Sequence, residues 1–103
     1  MEDKKIITLD LTGCKYLGEI HERIRISFDF PEWYGANWDA FWDLLWSECD
    51  ADEVIVKGTG TLPDEFDSDV EKLKKILIKM QNEQEKYSRL YDNIKPFTFS
   101  IID

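Results

Sequence analysis

The sequence predicts a small α/β fold, in which a three-stranded parallel sheet is packed with helices. Short runs rich in β-branched residues stand near the beginning, in the middle and at the end of the chain. Between them lie longer stretches whose apolar residues recur at intervals of three and four, the period of an amphipathic helix. Parallel strands need crossovers of about a dozen residues or more, and these helical stretches can supply them.

The three strands are predicted at residues 6–11, 53–58 and 97–103. Thr12 and Gly13 close the first strand as a turn, and Pro96 stands before the third. The loop at residues 58–63 contains Gly-Thr-Gly-Thr and resembles a phosphate loop. Because it lacks the lysine and the spacing of a P-loop, we interpret it as a turn.

Three helices are predicted between the strands. The first covers about residues 17–28, the second about residues 37–49, and the third begins between residues 66 and 69. Asn37 is the expected N-cap of the second helix, and Gly35 supplies a flexible bend before it. The polar stretch at residues 81–86 is expected either to fray or to extend into solvent. The apolar stripe of the first helix is Leu17, Ile20, Ile24 and Phe28, and that of the third is Val70, Leu73, Ile76, Leu77 and Met80.

Size and charge narrow the possible functions. A chain of 103 residues fits one domain, which we assign to residues 1–103. Its net charge of -9 predicts repulsion from nucleic acid and anionic membranes and attraction to a basic partner. The alternative is that the acidity serves only solubility. Because the beginning shows no hydrophobic signal region, and Cys14 and Cys49 are too few for a disulfide framework, we expect a cytoplasmic protein.

The second helix has more apolar surface than a core requires, because all four tryptophans of the chain lie within residues 31–46. One side suits the core and consists of Trp38, Phe41, Leu45 and Cys49. A neighbouring arc sets two indoles beside two like charges and consists of Asp39, Trp42, Asp43 and Trp46. Such an arc is costly in water, which predicts that something binds it.

A protein partner explains this arc best. Tryptophan is enriched in binding hot spots, where its ring excludes water around charged contacts. A carboxylate beside such rings can bind arginine in a basic cleft and stand in for a phosphate oxygen. Two alternatives remain open at this point. Asp39 and Asp43 could be an ordinary solvated helix face, and Trp42 and Trp46 could tuck against the following chain or form a homodimer seam.

The sequence gives little support to an enzyme. Asp39 and Asp43 could in principle form an acid–base pair or half of a metal site. His21, the only histidine, lies on the first helix and makes no ligand or nucleophile motif with them. We therefore predict no catalytic residues, no metal and no cofactor, and we interpret His21 as a structural residue.

Residues 31–45 read Pro-Glu-Trp-Tyr-Gly-Ala-Asn-Trp-Asp-Ala-Phe-Trp-Asp-Leu-Leu. This segment resembles the signature of the barstar family, intracellular inhibitors of barnase-type ribonucleases, which runs P-E-Y-Y-G-x-N-L-D-A-L-W-D-x-L. The likeness is long and ungapped, and the order of the three strands and the place of His21 agree with it. It implies a bacterial ribonuclease inhibitor of a toxin–antitoxin or immunity type.

The resemblance also implies roles for individual residues. Asp43 would enter the basic catalytic site of the ribonuclease at a phosphate position, and Asp39 would meet an arginine or loop amides beside it. Asn37 would hold the loop against the helix. The remaining contacts implied by the family pattern are Trp33, Gly35, Trp42 and Trp46, with Glu83 as a candidate for a glutamate contact on the last helix.

The segment departs from the signature at three positions, one of which bears on the partner and two on the core. Trp33 replaces a tyrosine of the pattern, which implies a different facing surface, and Trp38 and Phe41 replace leucines, which implies a repacked core. The expected partner is a basic ribonuclease, with no nucleic-acid or membrane binding and a monomer when free. The alternatives are immunity against a different toxin nuclease, or an interaction module that dimerises through Trp42 and Trp46.

Overall fold

A computed structural model describes residues 5–90 and 96–102 of the chain. It contains a parallel sheet of three strands, with β2 in the centre. The strands are β1 (Ile6–Asp10), β2 (Glu53–Lys57) and β3 (Thr98–Ile102). The predicted strand positions and the parallel pairing are therefore confirmed, except that Asp103 lies outside the described residues.

Three helices connect and cover the strands. They are α1 (Leu17–Phe28), α2 (Trp38–Glu48) and α3 (Asp67–Leu90). The loop after β2 contains two short 3-10 turns, Thr59–Thr61 and Asp64–Phe66, in keeping with its interpretation as a turn. The polar far end of α3 continues as helix to Leu90, so residues 81–86 are helical and do not fray.

The core lies on one face of the sheet. Along β1 and β2 the side chains alternate, so that Ile7, Leu9, Val54 and Val56 are buried. The helices bury Ile20, Ile24 and Phe28 of α1 and Leu73, Leu77 and Met80 of α3 against them. Placing Leu17 in this stripe was wrong, because it is 40% exposed. Side chains of a helix tilt toward its N-terminus. The side chain of Leu17, the first residue of α1, therefore points past the end of the helix.

The loops after β1 and β2 touch each other closely. Gly58 has a left-handed backbone, and a Cβ there would lie 2.5 Å from the Thr12 nitrogen. Only glycine allows this approach. The Gly13 N–H donates to Thr61 Oγ1 at 3.3 Å, and the Thr61 hydroxyl donates to the Gly58 carbonyl at 2.7 Å. These bonds hold together the loops that lead from β1 to α1 and from β2 to α3.

Candidate partner-binding site

The loop that leads into α2, residues 29–37, is fixed at its centre by Tyr34. This side chain is buried, and its hydroxyl oxygen lies 2.7 Å from His21 Nδ1. The backbone N–H of Tyr34 donates to the Pro31 carbonyl at 3.0 Å, which closes a tight turn. Trp33, next to Tyr34, is 74% exposed. The loop therefore anchors one aromatic ring and displays its neighbour.

The junction between this loop and α2 is built around Asn37. Its side-chain carbonyl accepts the Ala40 N–H at 2.8 Å as the N-cap, and its amide donates to the Gly35 carbonyl at 3.1 Å. The residue with the left-handed backbone is Ala36, with φ of 52°, so the bend predicted at Gly35 lies one residue later. Gly35 is nevertheless fitted to the cap, since a Cβ there would lie 3.2 Å from Asn37 Nδ2.

Beneath the N-terminus of α2, aromatic and titratable groups pack together. His21 is almost fully buried, and its ring centroid lies 4.6 Å from that of Trp38. Trp38 donates its indole N–H to Asp69 Oδ1 on α3 at 3.0 Å. Burial lowers the pKa of His21, and the charge of Asp69 opposes this in part. Burial also raises the pKa of Tyr34. His21 is thus a structural residue, as the sequence predicted.

The core side of α2 agrees with the predicted stripe. Phe41 and Leu45 are fully buried, while Trp38 and Cys49 are half-buried. Leu44 is also buried, which makes the core side wider than the sequence indicated. Phe41 packs edge to face on Phe28 of α1, with ring centroids 5.5 Å apart. The large aromatic residues at positions 38 and 41 are therefore used to hold α2 on α1.

Asp39 and Asp43 both lie exposed on the opposite side of α2. Neither carboxylate forms an ion pair or accepts a hydrogen bond within residues 5–90 and 96–102. Asp39 is in the first turn, where the helix dipole favours a negative charge. Asp43 lies one turn further on, beyond most of that effect. The structure therefore places two unneutralised charges one helical turn apart.

The two outer tryptophans of α2 form a short aromatic row. The rings of Trp42 and Trp46 stack, with centroids 5.7 Å apart and planes 22° apart. Tyr87 of α3 lies 5.7 Å from Trp46, and the Lys79 ammonium lies 4.3 Å from the centre of the Trp42 ring. Trp46 is still 39% exposed. One edge of the row thus packs on α3, which agrees in part with the alternative that Trp42 and Trp46 pack against the following chain. The other edge remains exposed.

A groove of about 500 Å³ runs between α2 and α3 beside this row. It brings Asp39 and Trp42 together with three lysines of α3. The other predicted contact residues do not line it; they are Trp33, Gly35, Asp43, Trp46 and Glu83. Glu83 lies on α3 one turn from Lys79 and one turn from Tyr87, so it faces the same side. The residues that line the groove are Asn37, Trp38, Asp39, Trp42, Lys72, Lys75, Ile76 and Lys79.

Sequence reasoning missed the contribution of α3 to this surface. Lys72, Lys75 and Lys79 recur at intervals of three and four, which was visible beside the apolar stripe of the third helix. That spacing indicates a shared helix face. It does not indicate which other helix the face meets, because that depends on how α3 crosses α2.

Among the described residues there is neither a cluster of metal ligands nor a membrane-spanning helix. Among residues 5–90 and 96–102, no three His, Cys, Asp or Glu side chains are grouped so as to hold a metal ion. His21 points into the core, away from the exposed carboxylates of α2. Of the helices just described, none is sufficiently long and apolar to cross a bilayer.

A small α/β domain that presents exposed carboxylates beside indoles has the surface expected of the class of protein-binding domains. The family model described as barstar, a barnase inhibitor, matches residues 4–94, nearly the whole chain. The chain therefore belongs to the barstar family. No curated protein matches it significantly. Membership implies a barnase-type inhibitor or immunity role, and the members of this family act as inhibitors.

Proposed function

We propose that this protein is a cytoplasmic ribonuclease inhibitor that blocks a basic, barnase-like ribonuclease by inserting Asp43 into its active site. Asp39 supports this contact from one turn earlier, and the protein has no chemistry of its own. Asp43 stands in for a substrate phosphate among the basic side chains of the ribonuclease. The free protein is a monomer, with no affinity for nucleic acid or membranes.

The observation that carries this proposal is the pair of exposed, unpaired carboxylates on a rigid helix. α2 is held by the Asn37 cap at its start and by buried Phe41 and Leu45 beneath it, so Asp43 is presented without a search through conformations. A basic cleft would supply the missing partners for both charges. The net charge of -9 would also speed the encounter with a basic protein.

The surrounding side chains fit a contact surface of this kind. Trp33 is exposed on the preceding loop, Trp42 and Trp46 flank Asp43 on α2, and Glu83 lies on the facing side of α3. Gly35 keeps the loop close to the helix cap. Together they would form an aromatic rim that excludes water around the two aspartates, as at binding hot spots.

Replacing Asp43 with alanine tests the proposal. We expect the variant to fold like the parent and to bind its ribonuclease about 2–5 kcal/mol more weakly, a range carried over from interfacial charge pairs such as those of barnase and barstar. Inhibition constants would be measured against barnase and against any small ribonuclease encoded beside the gene. Asp64→Ala, an exposed aspartate outside α2, is the matched control. Equal inhibition by both variants would refute the assignment of Asp43.

A second candidate is an interaction module that dimerises through the aromatic row. The partial exposure of Trp46 is the observation that favours it. Light scattering at high protein concentration separates the two, since the inhibitor proposal requires a monomer and the dimer proposal requires loss of the dimer in Trp46→Ala.

A further inference from the structure

Three lysines form a basic edge beside the acidic face of α2. Lys72, Lys75 and Lys79 lie on α3, all three are exposed, and all three line the groove between α3 and α2. We call them the lysine stripe. Asp39 lines the opposite edge of the same groove. The groove therefore has edges of opposite charge, although the chain as a whole carries a net charge of -9.

The lysine stripe is not neutralised from within. In the described part of the chain, none of its ammonium groups forms an ion pair, although Asp39 shares the groove. Lys74, on the same helix but outside this groove, pairs with Glu71 at 3.7 Å. The chain has 22 acidic residues against 13 basic ones, yet these three lysines lie together. Like charges three and four residues apart on a helix repel each other, so the grouping costs stability unless an anion binds it. Such a group points to an external partner of opposite sign.

One member of the lysine stripe, Lys79, is held in place by an aromatic ring of the groove. The Lys79 ammonium sits over the Trp42 ring, a cation–π contact that restricts the side chain. Trp38 and Ile76 supply apolar surface beside it. A segment bound here would bury part of this apolar floor while its carboxylates reach the lysines. Burial and charge pairing would therefore act together.

We infer that this groove receives an acidic segment of the partner ribonuclease, whose carboxylates pair with the lysine stripe over Trp42. The inference rests on the proposed function and extends it to the partner. The ribonuclease would be basic where it meets Asp39 and Asp43, and acidic where it meets the lysine stripe. The lysine stripe would then select among ribonucleases, because a rival that is basic at both places would be repelled by these three lysines.

A nucleic acid is a poorer occupant than an acidic protein segment. A continuous polyanion would be repelled by the net charge of the chain as a whole. A basic protein with a local acidic segment avoids this repulsion, because its overall charge is attracted while the segment meets the lysines.

The test compares two double variants with the same change in net charge. Lys72→Glu with Lys75→Glu reverses two of the three charges of the stripe, and Lys74→Glu with Lys86→Glu is the control outside the groove. Lys79 is kept so that its contact with Trp42 stays intact. Against the ribonuclease inhibited by the parent chain, we expect the stripe variant to bind about tenfold more weakly than the control. Equal affinities would overturn the inference, and circular dichroism would check that both variants fold.

A peptide titration tests the groove independently of any ribonuclease. The probe is an acetylated and amidated peptide of two lysines, a glycine and three glutamates, and its control carries glutamines instead. We expect only the glutamate peptide to shift the nuclear magnetic resonance signal of the Trp42 indole, and the stripe variant to lose the shift. Equal shifts from both peptides, or equal shifts from inorganic phosphate, would refute an acidic-segment site. This arm stands even if the Asp43 experiment fails.

Discussion

The inner and outer sides of residues 31–46 differ in whether their side chains have partners within the fold. On the inner side, Tyr34 and Phe41 are buried and pack against side chains of α1. On the outer side, Trp33 and Asp43 are exposed, and the carboxylate of Asp43 has no polar partner among the described residues. The same segment thus contains groups satisfied within the fold and groups left unsatisfied at its surface. Folding therefore accounts for the inner side, whereas the composition of the outer side is explained by the proposed partner.

The largest expected effect on stability is on the inner side. Replacing Phe41 with alanine should lower the free energy of unfolding by about 3–5 kcal/mol, because a fully buried ring is lost and a cavity remains. Asp43→Ala, two residues away on the outer side, should change it by less than about 0.5 kcal/mol. Urea denaturation of both variants measures the difference. Similar losses for the two would contradict the division into sides.

The Asn37 cap joins the two sides and should have a smaller effect. Asn37→Ala removes the acceptor for the Ala40 N–H and should cost about 1 kcal/mol of stability. Asn37→Asp keeps an acceptor and places a negative charge at the helix N-terminus, so it should recover part of the loss. The recovery is incomplete because a carboxylate cannot donate to the Gly35 carbonyl. Thermal unfolding of the three proteins tests this. A loss equal in both variants would show that the cap bond is not the cause.

The stability of the inner side should also depend on pH. Burial lowers the pKa of His21 below its ordinary value of 6.5 in the folded chain, so the unfolded chain binds a proton more readily. The free energy of unfolding should therefore be constant above about pH 7 and fall as the pH drops through about 6.5.

Because His21 is the only histidine, the variant His21→Gln isolates its contribution. Denaturation curves between about pH 7.5 and 5.5 should be flat for the variant and sloping for the parent chain, above the range in which most carboxylates titrate. An unchanged slope in the variant would assign the dependence to other groups.

At Trp33 the expected effect on stability is as small as that at Asp43. Since this side chain is 74% exposed, Trp33→Ala should change the free energy of unfolding by less than about 0.5 kcal/mol. If Trp33 belongs to the partner surface, the same variant should bind the ribonuclease measurably more weakly. Calorimetric titration and denaturation of one preparation provide both numbers. A stability loss without a binding loss would move Trp33 to the inner side.

The sequence predicted the parts of the fold that local patterns encode. The strand positions agree to within one or two residues where the structure describes them, and α1 begins and ends where the apolar spacing indicated. The N-cap at Asn37 was also correct, since capping is a local property. The error at Leu17 is of the same local kind, because periodicity does not show where a stripe runs past the end of its helix.

The candidate site was only half visible in the sequence. Asp39, Trp42 and Asp43 share an arc of one helix, so spacing alone brings them together. Lys79 and Tyr87 reach the same surface from a helix far along the chain, and the angle at which α3 crosses α2 decides that contact. The bond between His21 and Tyr34 is equally non-local. Such packing follows from the whole fold and has no short sequence signal.

All tryptophans of the chain lie within residues 31–46, so this segment determines the intrinsic fluorescence of the protein. Tryptophan fluorescence, the usual monitor of global unfolding, here reports this segment almost alone. Trp33 and Trp46 would sense a protein bound outside, whereas Trp38 lies against His21 and would sense its protonation. The stacked pair Trp42 and Trp46 should add a distinct near-ultraviolet circular dichroism signal. Binding of a partner at the outer side of residues 31–46 could therefore be followed by tryptophan fluorescence without an added label.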